Sequence, residues 1–126
     1  MLFITSFNRE LYDSYGKRMT EEFSEKSDGS ANLVVVFEGD TVPGVPLKNV
    51  EYIIFSHAGH RDFIRKFGHL YEPKGFRLNF LPNNEVRFAY DYRFDAVRFS
   101  FKIFSILQAL EKIQPTENFA WIDADV

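Results

Sequence analysis

Cysteine is absent from this chain of 126 residues. Disulfide bonds, thiolate catalysis and zinc sites built on cysteine are therefore excluded. The sequence also lacks an apolar run of about 18 residues, the length that a membrane-spanning helix needs. It has no basic start followed by an apolar stretch, as a secretory signal would have. Together these absences predict a cytoplasmic protein with no membrane span.

A surplus of basic residues is missing too. The formal net charge is −3, so no global positive field attracts nucleic acid, and we expect no nucleic-acid partner. The chain has neither the P-loop nor the dinucleotide-binding glycine fingerprint. Phenylalanine, in contrast, is plentiful, with 15 residues. So many rings either pack a core without disulfides or leave apolar surface through which copies of the chain associate.

Apolar periodicity divides the chain into alternating strands and helices within one domain. Strands are predicted at 2–7, 33–37, 51–55 and 119–122, and helices at 9–25, 59–67 and 92–113. Residues 72–90 fit either a hairpin of 77–81 and 86–90 or a loop. This alternation predicts an α/β fold with a Rossmann-like parallel sheet flanked by helices.

Right-handed crossovers determine where each strand lies. They place the second and third strands on one side of the first. The long helix then returns the chain, so that the last strand pairs on the other side and the expected strand order is 3-2-1-4. This order creates a topological switch point between the first and last strands. Open α/β sheets bind ligands at such points, at the carboxyl ends of their strands.

The helix predicted at 9–25 carries one apolar stripe, formed by Leu11, Tyr15, Met19 and Phe23. Residues four apart lie on one face of a helix, so we expect Tyr15 in the core. Tyr12 falls outside the stripe and is left freer, in a position to stack on a base.

Two carboxylates, Asp123 and Asp125, follow the apolar strand predicted at 119–122. Residues two apart on an extended chain point to the same face. Both can therefore present oxygen ligands to one hard divalent cation, Mg²⁺ or Mn²⁺, and so hold a diphosphate. The alternative is a solvated tail whose two acids have no function.

Polar side chains at the ends of the first two strands are candidates for nucleotide binding. Thr5, Ser6 and Asn8 offer hydrogen-bonding groups to an anionic or nucleotide ligand. Asn8 equally fits a simple helix cap. Glu38 follows the second strand and is placed to hydrogen-bond a base or ribose, although an ordinary acidic turn would look the same.

Two cations, Arg98 and Lys102, are four residues apart on the helix predicted at 92–113. They share one face of an otherwise apolar helix, where they either face phosphates in the crevice or extend to solvent. His57 and His60 have the spacing of a metal pair but no supporting third ligand, and we expect no metal there.

Taken together, these segments resemble the N-terminal, nucleotide-binding half of a GT-A glycosyltransferase. The segments that carry the resemblance are FITSFN at 3–8, FEGD at 37–40, RFSFK at 98–102 and WIDADV at 121–126. The last contains the D-x-D motif, which is the most specific of the four.

The resemblance implies a domain that binds a UDP- or GDP-sugar through Mn²⁺ or Mg²⁺. It implies that Asp125 binds the metal and that Asp123 binds metal or ribose. The remaining contacts, to base, ribose and diphosphate, are assigned to Thr5, Ser6, Phe7, Asn8, Arg98 and Lys102. Catalytic domains of this family continue beyond the D-x-D strand, so we expect a truncated domain that binds without catalysing.

Two other functions fit the same residues. Haloacid-dehalogenase-like phosphatases place a nucleophilic Asp and an acid/base Asp two residues apart after an apolar strand. In that case Asp123 is the nucleophile and Asp125 the proton shuttle. A non-enzymatic α/β module that binds a partner through its aromatic surface leaves both acids without a role.

Overall fold

The computed structural model describes residues 1–114 and 117–124. Its elements, in chain order, are β1 (Leu2–Asn8), α1 (Arg9–Leu11), a π-helical turn (Tyr12–Gly16), α2 (Lys17–Lys26), β2 (Asn32–Glu38), β3 (Val50–Ile54), α3 (Ala58–Phe67), β4 (Lys74–Phe80), β5 (Val86–Asp95), α4 (Ala96–Ile113) and β6 (Phe119–Trp121). Within the described ranges, no helix is both long and apolar enough to cross a lipid bilayer.

Four parallel strands form the main sheet, in the order β3-β2-β1-β6. The predicted α/β fold with strand order 3-2-1-4 is therefore confirmed. β1 lies between β2 and β6 and pairs with both, although β6 is short and aligns only with residues 2–4 of β1. The first and last strands are thus parallel neighbours, as the crossover argument requires.

Both faces of the main sheet are covered. On the face toward α4, the buried residues are Leu2, Ile4, Val34, Val36, Ile53 and Ala109. On the face toward α2, they are Phe7, Tyr12, Leu33, Val35, Phe37 and Ala124. Consecutive residues of a strand point to opposite faces. The unbroken apolar run in β2 is therefore what a strand covered on both sides requires.

The helical segment after β1 contains an irregularity that the sequence did not predict. Asn8 caps its start, because its side-chain oxygen accepts a hydrogen bond from the Leu11 amide at 2.9 Å. Residues 12–16 then form a π-helical turn before α2 begins. At its end, Gly16 lies close to the Phe7 ring: an added Cβ would be 3.0 Å from the nearest ring carbons.

The π turn changes which tyrosine is buried. Tyr12 is 7% exposed and packs near the Phe7 ring, whereas Tyr15 is 38% exposed. The expectation that Tyr15 lies in the core and Tyr12 outside it is therefore wrong. A π turn holds more residues than an α turn, so spacing by four no longer keeps residues before and after it on one face.

Contacts divide the chain into two compact units: residues 1–56 with the described residues from 105 onward, and residues 57–104. The second unit contains α3, β4, β5 and the first half of α4. β4 and β5 pair antiparallel, so of the two alternatives for residues 72–90 the hairpin is confirmed, with strands at 74–80 and 86–95 in place of 77–81 and 86–90.

The start of α4 differs from the prediction. β5 extends to Asp95, which pairs with Lys74, and α4 begins at Ala96 rather than at residue 92. The strand pairing explains the difference, since it holds these residues in the hairpin. The Asp95 carboxylate then accepts a hydrogen bond from the Arg98 amide at 2.9 Å, as a residue at a helix start does.

We predict that Tyr12→Ala lowers the free energy of unfolding by about 3 kcal/mol, because it leaves a cavity beside Phe7. Tyr15→Ala is the matched control, and its greater exposure limits the expected loss to about 1 kcal/mol. Denaturant unfolding of both variants measures the difference. A larger loss for Tyr15→Ala would support a regular helix with the stripe that the sequence suggests.

Candidate functional site

The carboxyl ends of β1 and β2 meet at one edge of the main sheet. Asn8 and Glu38 are the last residues of these strands, and they are opposite each other in the register. Paired residues of neighbouring strands direct their side chains to the same face. An amide and a carboxyl group therefore stand side by side at this edge.

β6 lies on the other side of β1 and ends level with Ile4, four residues before the end of β1. Ile4 is opposite Trp121, and the Ile122 amide donates a hydrogen bond to the Ile4 carbonyl at 2.9 Å. Two residues beyond this pair on each segment come Ser6 and Asp123. The switch point expected from the strand order is thus bordered by residues of β1 and by the start of the D-x-D motif.

Alternation along β1 separates its candidate residues. Thr5 and Phe7 point to the face toward α2, where they are 0% and 1% exposed. Among the described residues, none hydrogen-bonds the Thr5 hydroxyl. Ser6 and Asn8 are on the opposite face and are half-buried. The side chains of Thr5 and Phe7 therefore belong to the core, while those of Ser6 and Asn8 reach the surface.

Asn8 and Glu38 offer different polar groups to a ligand. The interpretation of Asn8 as a helix cap is confirmed by its bond to Leu11, but the amide nitrogen is not part of that bond. Glu38 is half-buried, and burial raises the pKa of its carboxyl group. Carboxyl groups with a raised pKa are common where a ligand is bound.

Asp123 is exposed, and its side chain has a defined partner. The Trp121 indole nitrogen donates to the Asp123 Oδ1 atom at 2.5 Å. Asp125 lies outside the described residues, so the expectation that both carboxylates share one face stays a prediction. Within 1–114 and 117–124, no group of three or more His, Asp or Glu side chains is arranged to hold a metal ion.

Arg98 and Lys102 lie on the part of α4 that belongs to the second unit. The Asp95 carboxylate accepts hydrogen bonds from the Tyr90 hydroxyl at 2.7 Å and from the Arg98 backbone amide at 2.9 Å. Arg98 is therefore part of a local network at the start of α4. The expected contact of Arg98 and Lys102 with a phosphate stays a prediction.

His57 and His60 have separate roles within the second unit. The His57 Nδ1 atom accepts a hydrogen bond from the Gly59 amide at 3.1 Å, which caps α3. His60 is 6% exposed, with its Nε2 atom 3.1 Å from the Ser100 hydroxyl and its ring against Phe101. Burial lowers the pKa of His60, so the neutral ring is favoured inside the fold.

Sequence reasoning missed a cavity of about 390 Å³ between the first helical segment and the loop 43–47. Tyr12 and Tyr52 line it, with Arg9 and Lys17 nearby. Gly44 has φ +74°, and an added Cβ would be 2.6 Å from the Tyr12 hydroxyl. The glycine in the proline-containing loop was the one available signal, because it marks a close approach of two segments.

A larger cavity, of about 540 Å³, lies at the opposite edge of the main sheet. Its lining includes Leu2, Asn32 and Val50, the first residues of β1, β2 and β3. The candidate residues at the carboxyl edge do not line it.

Comparison with protein-family models, with curated proteins and with solved structures gave no match for this chain. The assignment of a function therefore depends on the geometry of the chain itself.

We predict that Glu38→Gln stabilises the protein at pH 7 and that the gain in melting temperature shrinks toward pH 4. The raised pKa of Glu38 means that the folded state binds the proton more tightly than the unfolded state. Stability from this group is therefore greatest below the unfolded pKa of about 4.5 and falls as the pH rises through the folded pKa. Glutamine carries no charge at any of these pH values, so the variant does not lose this stability as the pH rises.

Glu25→Gln is the control, since it changes the formal charge equally at an exposed position of α2. Melting curves of the three proteins between pH 4 and pH 8 make the comparison. A Glu38→Gln profile parallel to that of Glu25→Gln would show that burial of Glu38 does not oppose its ionisation.

Proposed function

We propose that this chain is a GT-A-like domain that binds a nucleotide sugar, with a divalent cation, at the carboxyl edge of β1, β2 and β6. The observation that carries the proposal is the parallel pairing of β1 with β6. This pairing puts the residues after Ile4 beside those after Trp121. An open α/β sheet binds its ligand at such a switch point.

The carboxylates of Asp123 and Asp125 are the metal ligands in this proposal. Their oxygen atoms are the donors that Mg²⁺ and Mn²⁺ prefer. The Trp121 indole fixes one oxygen of Asp123, and a carboxylate held in this way loses less freedom when it binds a cation. The cation neutralises the charge of the diphosphate once both are bound.

In this proposal, the side chains that remain accessible at the same edge bind the nucleoside part of the ligand. Ser6 contributes a hydroxyl group, Asn8 an amide and Glu38 a carboxyl group, and all three are half-buried. Glu38 can hydrogen-bond the base or ribose in either protonation state, as acceptor or as donor. Thr5 and Phe7 support the edge from inside the core.

Binding of the diphosphate requires cations as well as the metal ion. Arg98 and Lys102, which belong to the second unit, stay the candidates that the sequence offers for this role, because guanidinium and ammonium groups both bind phosphate oxygens. The acidic surroundings of Asp123 and Glu38 otherwise repel the ligand, so we expect affinity for the nucleotide to depend strongly on the divalent cation.

We predict that Mn²⁺ together with UDP or GDP raises the melting temperature of the chain, while neither does so to the same extent alone. At a ligand concentration 100 times the dissociation constant, the stabilisation is about 2.7 kcal/mol. Asp125→Ala should abolish the metal-dependent shift. Differential scanning fluorimetry with each nucleotide, with and without Mn²⁺, measures it.

Asp123→Asn tests the second carboxylate. It keeps an oxygen that accepts the bond from Trp121 but removes the charge, so a reduced shift would assign the loss to metal binding. Asp62→Ala, at an exposed acid of α3 that pairs with Arg65, is the control. A shift that survives Asp125→Ala would contradict the proposal. Release of phosphate from a simple phosphate ester would favour the phosphatase alternative.

A further inference from the structure

The hairpin of β4 and β5 has two unlike faces. Three directly opposed pairs share one of them: Phe76 with Tyr90, Leu78 with Phe88, and Phe80 with Val86. Residues two apart on a strand point the same way, so these side chains form a continuous surface. We refer to these six residues as the ribbon face.

The ribbon face is exposed over most of its length. Phe80 is 79% exposed, Leu78 60%, Val86 55% and Phe88 50%. Single exposed apolar side chains are normal in proteins, whereas a contiguous apolar patch marks a docking surface.

The rings of the ribbon face also pack against one another. Phe76 and Phe88 are stacked with centroids 5.5 Å apart. Tyr71, which is 64% exposed, lies edge-on to both. The patch is therefore a preformed surface and not a set of independent side chains.

The other face of the hairpin carries cations. Arg77 is opposite Ala89, and Asn79 is opposite Arg87. Arg77 lies over the Phe94 ring, 4.9 Å from its centroid. Arg87 is exposed. The hairpin is thus an amphipathic ribbon, apolar on one side and cationic on the other.

Charge is segregated in the same way along the chain. Residues 57–104 carry 9 Lys and Arg against 5 Asp and Glu, a formal charge of +4. The rest of the chain carries 6 Lys and Arg against 13 Asp and Glu, a formal charge of −7. The net charge of −3 therefore conceals a basic unit that carries the exposed apolar surface.

We propose that the ribbon face docks on an anionic lipid surface. Apolar side chains on one face with Lys and Arg on the other are what an interfacial membrane element requires. The apolar face enters the boundary between head groups and acyl chains, and the arginines contact lipid phosphates. Depth is limited to that boundary, because the unpaired edges of a two-stranded ribbon need hydration.

Two other occupants fit the observations less well. Stacking of the ribbon faces of two copies would bring together two units that each carry a charge of +4. Single-stranded nucleic acid binds by stacking successive bases on rings beside cations, but Leu78 and Val86, in the middle and at the end of the ribbon face, offer no ring.

Flotation of the full chain with lipid vesicles tests the proposal. We expect binding to vesicles of phosphatidylcholine with about one third phosphatidylglycerol, and at least tenfold weaker binding to phosphatidylcholine alone. Raising the salt concentration to about 0.5 M should weaken binding to the anionic vesicles, because salt screens the attraction.

Matched variants identify the surface. Phe80→Ser should weaken binding at least tenfold, while Val45→Ser, which removes a side chain that is 74% exposed in the first unit, should leave it unchanged. Arg87→Glu should weaken binding more than Lys48→Glu, which makes the same charge change outside residues 57–104. All four positions are exposed, and circular dichroism checks that each variant is folded.

Several results would overturn the proposal. Equal binding to neutral and anionic vesicles would show that charge does not drive binding. No binding to either would show that a lipid surface is not the partner. Equal effects of Phe80→Ser and Val45→Ser would place the contact elsewhere. A dimer in sedimentation velocity that Phe80→Ser dissociates, without vesicle binding, would identify a second copy as the occupant. Binding of a labelled oligonucleotide, lost in Phe80→Ser, would identify nucleic acid.

Discussion

The fold depends on β1. This strand pairs in parallel with β2 and with β6, and side chains cover both of its faces. Ile4 and Thr5 are fully buried on opposite faces, so β1 has no side on which a shift of register would be harmless. The same pairing sets the positions of Asn8, beside Glu38, and of Asp123, beyond the end of β6. The core and the candidate site therefore share one constraint.

Covering the strands on both faces also buries polar groups of β1 and β2. The Thr5 hydroxyl is buried without a partner among the described residues, and Glu38 is held where burial opposes its ionisation. Polar groups buried in this way destabilise a fold, and such costs are typical of binding sites.

The composition of the whole chain hides a difference in charge between its two units. An overall charge of −3 predicts no attraction to anions, yet residues 57–104 are basic. The abundance of phenylalanine suggested either a dense core or an exposed apolar surface, and both occur. Phe7 and Phe37 fill the core of the main sheet, whereas Phe80 and Phe88 are exposed on the hairpin.

The sequence alone determined the strands of the main sheet and their order, because apolar periodicity and right-handed crossovers are local or general rules. It also located Glu38 at the end of β2 and Asp123 shortly after β6. Only the tertiary structure decided which tyrosine is buried, because a π turn stabilised by packing leaves no pattern in the residues. It likewise decided that Asp95 belongs to β5, since pairing with Lys74, distant in sequence, outweighs helix periodicity. The sequence could not show that apolar and cationic side chains lie on opposite faces of the hairpin. That arrangement depends on the strand register, which only contacts between strands determine.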